Sequence, residues 1–344
     1  MDGAVTPSAT FAIEQAGPLT TTQDGGRPSL LRFGIPRSGP VDRSSYEAAI
    51  RAFGGAAMAS AIELSQGGAT LRCVDGEAAF ALCGGGFMAE LDGYNLGDWV
   101  VARISAGMRL RVRPGTGNWA YLAFAGTIAA PAWLGSVSRH VQAALGGQHL
   151  VEGDVLKVAD CQPFVTPEQG TRGVPRPPES DRPLTQARVI LGPQERFFSA
   201  AMVEKLLEGT FRGSASFDRM GLVLDGPEIP PEAIDMPSEP AVRGALQVDG
   251  AGRTTLLLAD HQTAGGYPKI AVMLAGDADR LAQLPAGHAF RIVAIDALEA
   301  HRATLADRRA RDTYHQMLLR PFDLEARLSD SNLIDGVINA LDSI

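Results

Sequence analysis

Leu258-Ala-Asp-His-Gln-Thr-Ala-Gly-Gly-Tyr-Pro-Lys-Ile270 carries the densest chemistry in the chain. It enters from an apolar run, Thr255–Ala259, that reads as a strand, and it leaves into a second run, Ile270–Leu274. Between them, Gly265 and Gly266 let backbone N–H groups approach a bound molecule, because no Cβ is in the way. Pro268 disfavours the α conformation at Tyr267, so the ring is held extended at the rim. Lys269 sets a cation beside this backbone, and Asp260, Gln262 and Thr263 add acceptors and donors. The simpler alternative is a hairpin closed by a Gly-rich turn. A plain turn has no need of Asp, Gln, Thr, Tyr and Lys together.

Working outward, the chain has 344 residues, which as a soft prior indicates about two domains. Hydrophobic residues make up 45%, enough for real cores, but aromatics only 6%, so Leu, Val, Ile and Ala must do most of the packing. The 39 Gly and 22 Pro favour many short strands and turns over a helical bundle. A net charge of −8 argues against nucleic acid, which selects basic surfaces. No apolar run is long enough for a membrane span. Met1–Thr10 does not read as a signal peptide. Cys73, Cys83 and Cys161 sit on apolar stretches without a C-x-x-C pair, as expected for buried thiols in a reducing cytoplasm.

Phe11–Ala16 reads as a strand, Thr20–Arg27 as a loop and Arg32–Ile35 as a short extended piece. Asp42 or Ser44 can cap a helix over Tyr46–Phe53. Seven apolar or alternating runs follow at Ala61–Leu64, Ala69–Val74, Ala78–Leu82, Met88–Leu91, Trp99–Ile104, Met108–Val112 and Trp119–Phe124, the spacing of a β sandwich or barrel. Residues 160–186 are Pro-rich and read as a linker or strap. The second half offers strands at Arg188–Leu191, Gly221–Leu224, Ala245–Val248 and Ala289–Ile295, and short helices over Phe197–Leu207 and Ala278–Leu284. Ala106-Gly-Met-Arg-Leu-Arg-Val112, Glu152-Gly-Asp-Val-Leu-Lys-Val158 and Ala286-Gly-His-Ala-Phe-Arg-Ile292 echo one another, a turn glycine feeding a strand of period two. Asp296–Leu319 and Asn332–Leu341 read as helices packed on their own domain, or as docking helices for a partner. The expected fold is mainly β. An N-terminal β domain spans 1–159, a linker 160–186, a second β domain 187–297 and a helical extension 298–344.

No P-loop, dinucleotide fingerprint or serine elbow is present. The six histidines are scattered, and no Cys or His grouping completes a metal site. His261 is the one histidine in a motif-rich stretch, and a hydrogen-bonded structural role suits it. Four polar clusters remain among the apolar strands: Pro36–Ser45, Phe217–Gly221, Met236–Glu239 with Gln247 beyond, and Asp260–Lys269. For each alone there is a structural alternative: an internal ion pair for Asp218-Arg219, a turn or cap for Ser238-Glu239. Together they supply carboxylate, guanidinium, amide and ammonium, a set that suits holding a planar amide and stabilising charge that develops on its oxygen.

Gly34-Ile-Pro-Arg-Ser-Gly-Pro-Val-Asp-Arg43, Phe217-Asp-Arg-Met-Gly-Leu-Val-Leu224, Pro237-Ser-Glu239 with Gly244 and Gln247, and the Leu258–Ile270 stretch resemble the signature segments of the biotin-dependent carboxyltransferase family, also called allophanate hydrolase subunit 2-like. Leu91-Asp-Gly93 and Leu134-Gly-Ser136 fall where that family has similar segments. The resemblance runs over about residues 10–297. It implies two cyclophilin-like β-barrel domains with short helices. It also implies a cytoplasmic hetero-oligomer with a smaller subunit 1-like partner, of the kind that accompanies this family in 5-oxoprolinase. Chemistry at an amide is implied, either ATP-driven opening of a cyclic amide, as in 5-oxoprolinase, or carboxyl transfer from biotin, as in urea amidolyase. ATP would be used through the complex. Biotin would ride on a separate carrier, since no A-M-K-M-like motif is present. The chain departs from the family pattern at Ile50, Gly55, Gly84–Gly86 and Val137–His140, so its N-terminal half has lost polar groups.

On this reading Lys269, Asp260 and Glu239 are catalytic. Lys269 stabilises an oxyanion, and the two carboxylates act as acid, base or orienting groups. Arg219 clamps a carboxylate. Gln247 and Tyr267 orient the amide, and Gly265 and Gly266 offer backbone donors. Asp218, Ser238, Gln262 and Thr263 complete the expected substrate contacts. The alternative is a regulatory protein without catalysis that sequesters its small partner, as the antagonist of the sporulation kinase inhibitor does.

Overall fold

The Leu258–Ile270 stretch does not close a hairpin. Its flanking strands, Thr254–Leu257 and Lys269–Met273, lie on opposite sides of Ala245–Val248, which pairs with one through Leu246 and Leu256 and with the other through Leu246 and Ala271. The connection therefore crosses a strand, a span too long for a tight turn. Midway, Ala264–Gly265 pairs with Glu239–Pro240 as a separate two-stranded ribbon. The computed structural model describes residues 7–53, 57, 59–164, 170–179 and 184–319.

The crossing belongs to a closed seven-stranded barrel. Its strands, in spatial order, are Gln186–Leu191, Lys269–Met273, Ala245–Val248, Thr254–Leu257, Gly221–Asp225, Thr210–Phe217 and Ala289–Ala294. The last runs parallel to the first, with Ala187 opposite Ile292, and the other pairings are antiparallel. Closure leaves no free sheet edge. Val189, Phe211, Leu222, Leu224, Leu246, Val248, Leu256, Phe290 and Ile292 fill one core, joined by Leu206 and Leu281 from the helices Ala200–Glu208 and Ala275–Ala282.

The N-terminal half is a twelve-stranded sheet built on Ala69–Cys83. The sequence reading divided this run at Asp75-Gly76. The structure keeps it as one 15-residue strand, because Gly76 at φ 74° turns the chain without ending its pairing. A Cβ there would lie 1.9 Å from the Ser8 carbonyl oxygen. Phe11, Phe80, Leu82, Phe124 and Leu156 form the core of this half. The helix Arg43–Arg51, capped by Asp42 through Ser44 N and Ser45 N, packs Tyr46, Ala49 and Ile50 on Ala81, Val101 and Tyr121.

Several local readings change. Thr20–Arg27 contains a strand, Thr21–Gln23, paired with Ala61–Glu63. Arg32–Ile35 is not extended but holds a 3-10 turn, Leu31–Phe33, ended by Gly34. Thr171–Gly173, inside the Pro-rich segment, pairs with Val100–Ala102. Thr210–Phe217 was missed, since its Gly, Ser and Ala content gives little strand signal and its neighbours on both sides impose the pairing. Ala297–Leu319 is a helix that returns to the N-terminal half, burying Tyr314 and Leu318 beside Tyr46 and Trp99. Tyr314 Oη donates to the Pro175 carbonyl at 2.7 Å, and His315 Nε2 meets Glu47 Oε2 at 2.9 Å. The helix expected over Asn332–Leu341 lies outside the described residues. No described helix is long and apolar enough to cross a membrane. The three cysteines are buried and free.

Candidate active site

Phe217–Gly221 is a tight turn between barrel strands. Asp218 Oδ1 accepts from Met220 N at 2.7 Å and Gly221 N at 3.0 Å, so this carboxylate shapes the turn. The turn sends Arg219 into the interior, where it is 1% exposed. Its guanidinium holds Asp260 two-pronged, Nε to Oδ2 at 2.9 Å and Nη2 to Oδ1 at 3.0 Å. It also bonds Glu63 Oε1 and the Gly39 carbonyl, both from the N-terminal half. Glu63 Oε2 accepts from Val41 N and Tyr121 Oη, each at 2.8 Å, and Asp260 Oδ2 accepts from Val141 N at 3.3 Å. The Arg219–Asp260 pair thus ties the barrel to the N-terminal half at three places, Glu63, Gly39 and Val141.

Burial opposes the charge on Asp260, but the Arg219 guanidinium outweighs it and holds the carboxyl below its ordinary range. A depressed folded value gives stability that is in place above the ordinary 3.8 and is lost as pH falls through the folded value. Asp260→Asn is therefore expected to lower the urea midpoint clearly at pH 7. The gap from the unsubstituted chain should close only below pH 3.8. Urea titrations at stepped pH check it.

Lys269 belongs to a different group. It lies opposite Gln247 across a register shift and is 1% exposed. Its ammonium makes a single long hydrogen bond, 3.4 Å to the Tyr267 carbonyl. Burial pushes this lysine below 10.5, with the nearby Glu239 carboxylate working the other way. Gln194, fully buried, bridges the two: its Oε1 accepts from Lys269 N at 2.8 Å and its Nε2 donates to Glu239 Oε2. Gln262 Nε2 donates to Gln247 Oε1 at 3.3 Å, and Gln247 Nε2 to the Tyr267 carbonyl at 3.5 Å. Glu239 pairs with Gly265 in the ribbon, while Tyr267 is 48% exposed at the rim. Ser238 is exposed near Gly266, and the Thr263 carbonyl accepts from Ala241 N at 3.0 Å.

A Cβ on Gly265 would fall 2.5 Å from Gln262 Nε2 and 2.8 Å from Gln247 Nε2. Both are flexible amide tips, so Gly265→Ala is expected to displace them while leaving the urea midpoint nearly unchanged. A clear fall in the midpoint would show the glycine to be structural instead.

The expected single cleft is thus divided in two. Lys269, Glu239, Gln247, Gln262, Gly265 and Tyr267 come together. Arg219 and Asp260 do not join them, because the crossing separates Asp260 from Lys269. Arg219 as a substrate clamp is corrected: its donors are spent on Asp260, Glu63 and Gly39. Asp260 as a free acid or base is corrected for the same reason. Asp218, Gln247 and Gln262 line an adjoining pocket of about 320 Å³. The sequence reading missed Gln194 and Glu63. A carboxylate interrupting the apolar run Ala61-Ile-Glu-Leu64 was the available sequence signal for Glu63, which the structure buries fully. Among the described residues no group of His, Cys, Asp and Glu could hold a metal ion.

Known proteins share this architecture. The chain is 32% identical over 299 residues to a protein of Escherichia coli named as a subunit of 5-oxoprolinase, covering 85% of this chain and 93% of that protein. The crystal structure of TTHA0988 superposes with a TM-score of 0.72 at 33% identity, covering 85% of this chain and 56% of that one. The Kluyveromyces lactis urea amidolyase superposes at 0.76 and 23% identity over 94% of this chain, which spans only 21% of that enzyme and shares its fold. Residues 33–294 match the carboxyltransferase domain, subdomains A and B, and the chain belongs to that family.

Proposed function

We propose that this chain is the carboxyltransferase-type subunit of a cytoplasmic complex that processes an amide or lactam, with the Lys269 group as its reacting centre. The 5-oxoprolinase kind is the favoured complex, with a smaller subunit 1-like partner. The observation that carries the reading is a buried lysine whose ammonium makes one long hydrogen bond, to the Tyr267 carbonyl that Gln247 also bonds, with Gln194 holding its backbone N–H.

When an amide carbonyl is attacked, or its nitrogen loses a proton, negative charge grows on the oxygen. A fixed cation with donors to spare, away from water, stabilises that charge far more than it would in solvent. Glu239 has a 40% exposed side chain, so it can exchange a proton with solvent beside Lys269. Gln194 fixes its orientation. Gln247 and Gln262 offer the donor and acceptor that a planar amide requires.

ATP and biotin would be held by other chains. The sequence carries no G-x-x-x-x-G-K-[ST] loop, and Lys269 is buried in a strand rather than on the exposed turn that a biotin carrier needs.

The test is reconstitution with the partner subunits, followed by an assay for ATP-dependent opening of 5-oxoproline. Turnover that depends on this chain supports the reading. Assembly of the complex with no turnover of any cyclic amide or urea-type substrate would instead favour the regulatory, sequestering protein.

A further inference from the structure

Two cations flank the Glu239 carboxylate. One is the buried Lys269 ammonium. The other is Arg196, whose guanidinium side chain is 60% exposed on the 3-10 turn Glu195–Phe197. We infer that Arg196 is a positioning residue of this group: it holds the Glu239 carboxylate off the Lys269 ammonium and so leaves the ammonium's donors open to a developing oxyanion. The inference rests on Lys269 as the reacting centre.

Gln194 fixes the two cations relative to one another. Its N–H donates to the Lys269 carbonyl at 3.1 Å and its Oε1 accepts from Lys269 N at 2.8 Å, so it satisfies both backbone groups of the lysine. The turn that follows closes through Phe197 N, which donates to the Gln194 carbonyl at 3.1 Å. Arg196 is thus carried by a turn rooted in the residue that anchors the lysine.

Each oxygen of Glu239 has its own partner. Oε2 accepts from Gln194 Nε2, and Oε1 lies 3.6 Å from Arg196 Nη2. Lys269 makes no ion pair among the described residues, although Glu239 is near enough for its charge to favour the ammonium. The ammonium keeps its single bond to the Tyr267 carbonyl, at 3.4 Å. A lysine in direct contact with a carboxylate would spend donors there, and its charge would be offset before any oxyanion formed.

An exposed ion pair is usually weak, because two long side chains must be ordered to make it. Here the ordering is largely in place. Arg196 Nη1 donates to the Pro193 carbonyl at 3.0 Å, and Cζ lies over the Phe197 ring, 5.0 Å from its centre. Glu239 is held by Gln194 and, through its backbone, by the pairing with Gly265. Among the described residues Arg196 pairs with no other carboxylate. The guanidinium competes with the ammonium for this one carboxylate, from the solvent side.

Lysine-selective NMR of the full chain, read at the Lys269 ε-carbon, tests the role. In Arg196→Ala, Glu239 is free to close on Lys269, and the lysine's pKa should rise by about one pH unit, the effect of an opposite charge brought into contact. Loss of a nearby positive charge would raise it as well, so the deciding comparison adds Glu239→Gln. With no carboxylate to hold, Arg196→Ala should leave the Lys269 titration of the Glu239→Gln chain unmoved. In the reconstituted complex, Arg196→Ala should lower kcat about tenfold with KM little changed, the rate equivalent of that rise. A Lys269 titration that Arg196→Ala leaves alone, or raises equally with and without the Glu239 carboxylate, would overturn the role. So would an unchanged kcat where Lys269→Met slows the reaction. If the titration moves as expected but Lys269→Met leaves turnover unchanged, the positioning of Glu239 stands and the reaction at Lys269 falls.

Discussion

Arg219→Met is expected to destabilise the chain by roughly 3–5 kcal/mol, the range for removing one partner of a buried ion pair. The reason lies in what stays behind. Asp260 and Glu63 are 1% and 0% exposed, and the guanidinium is the one cation bonded to either among the described residues. Without it, two carboxylates would be buried together, and each would have to take up a proton or draw in water. The substitution also releases the Gly39 carbonyl, which loosens the first signature loop from the barrel. Urea unfolding of the purified variant measures the loss. A midpoint within error of the parent chain would mean that the two halves do not depend on this junction. Arg219→Lys should recover little, because an ammonium cannot reproduce the two-pronged grip on Asp260.

Lys269→Met is expected to act in the opposite way, with little effect on stability and a large one on turnover. The lysine's folded pKa is depressed, so at any pH below it the fold carries the cost of a buried charge. Methionine removes that cost and keeps most of the stem, so the urea midpoint at pH 7 should hold or rise. In the reconstituted complex, turnover of 5-oxoproline should fall about 10²–10³-fold, the range for deleting one oxyanion-stabilising donor. Unchanged turnover at unchanged stability would remove Lys269 from the reaction.

Much of this was legible before any coordinates. Alternation marked most of the barrel strands, and Asp42 announced the helix it caps. In the three echoing segments Gly107, Gly153 and Gly287 do turn the chain at positive φ into the strands Arg109–Arg113, Val155–Ala159 and Ala289–Ala294. The polar residues of 258–270 stand out in the sequence, but their grouping in space does not. A run of side chains in sequence does not reveal that the backbone crosses a strand. Asp260 therefore faces Arg219, His261 lines a cavity between the halves and Gln262 meets Gln247. Nor could spacing show that a glutamate from Ala61–Leu64 would consume Arg219, since that contact joins positions 156 residues apart. Gln194 gave no local signal, because its value lies wholly in bridging Lys269 and Glu239.

The most direct measurement uses the scarcity of lysine, as the chain has only Lys157, Lys205 and Lys269. With lysine labelled at the ε-carbon and ζ-nitrogen, the buried ammonium is resolved from the two exposed ones. The account predicts that the Lys269 signal titrates below 10.5 in the free protein, and that its titration moves upward when the assembled complex binds an anionic lactam. A Lys269 signal that ignores saturating ligand would contradict it.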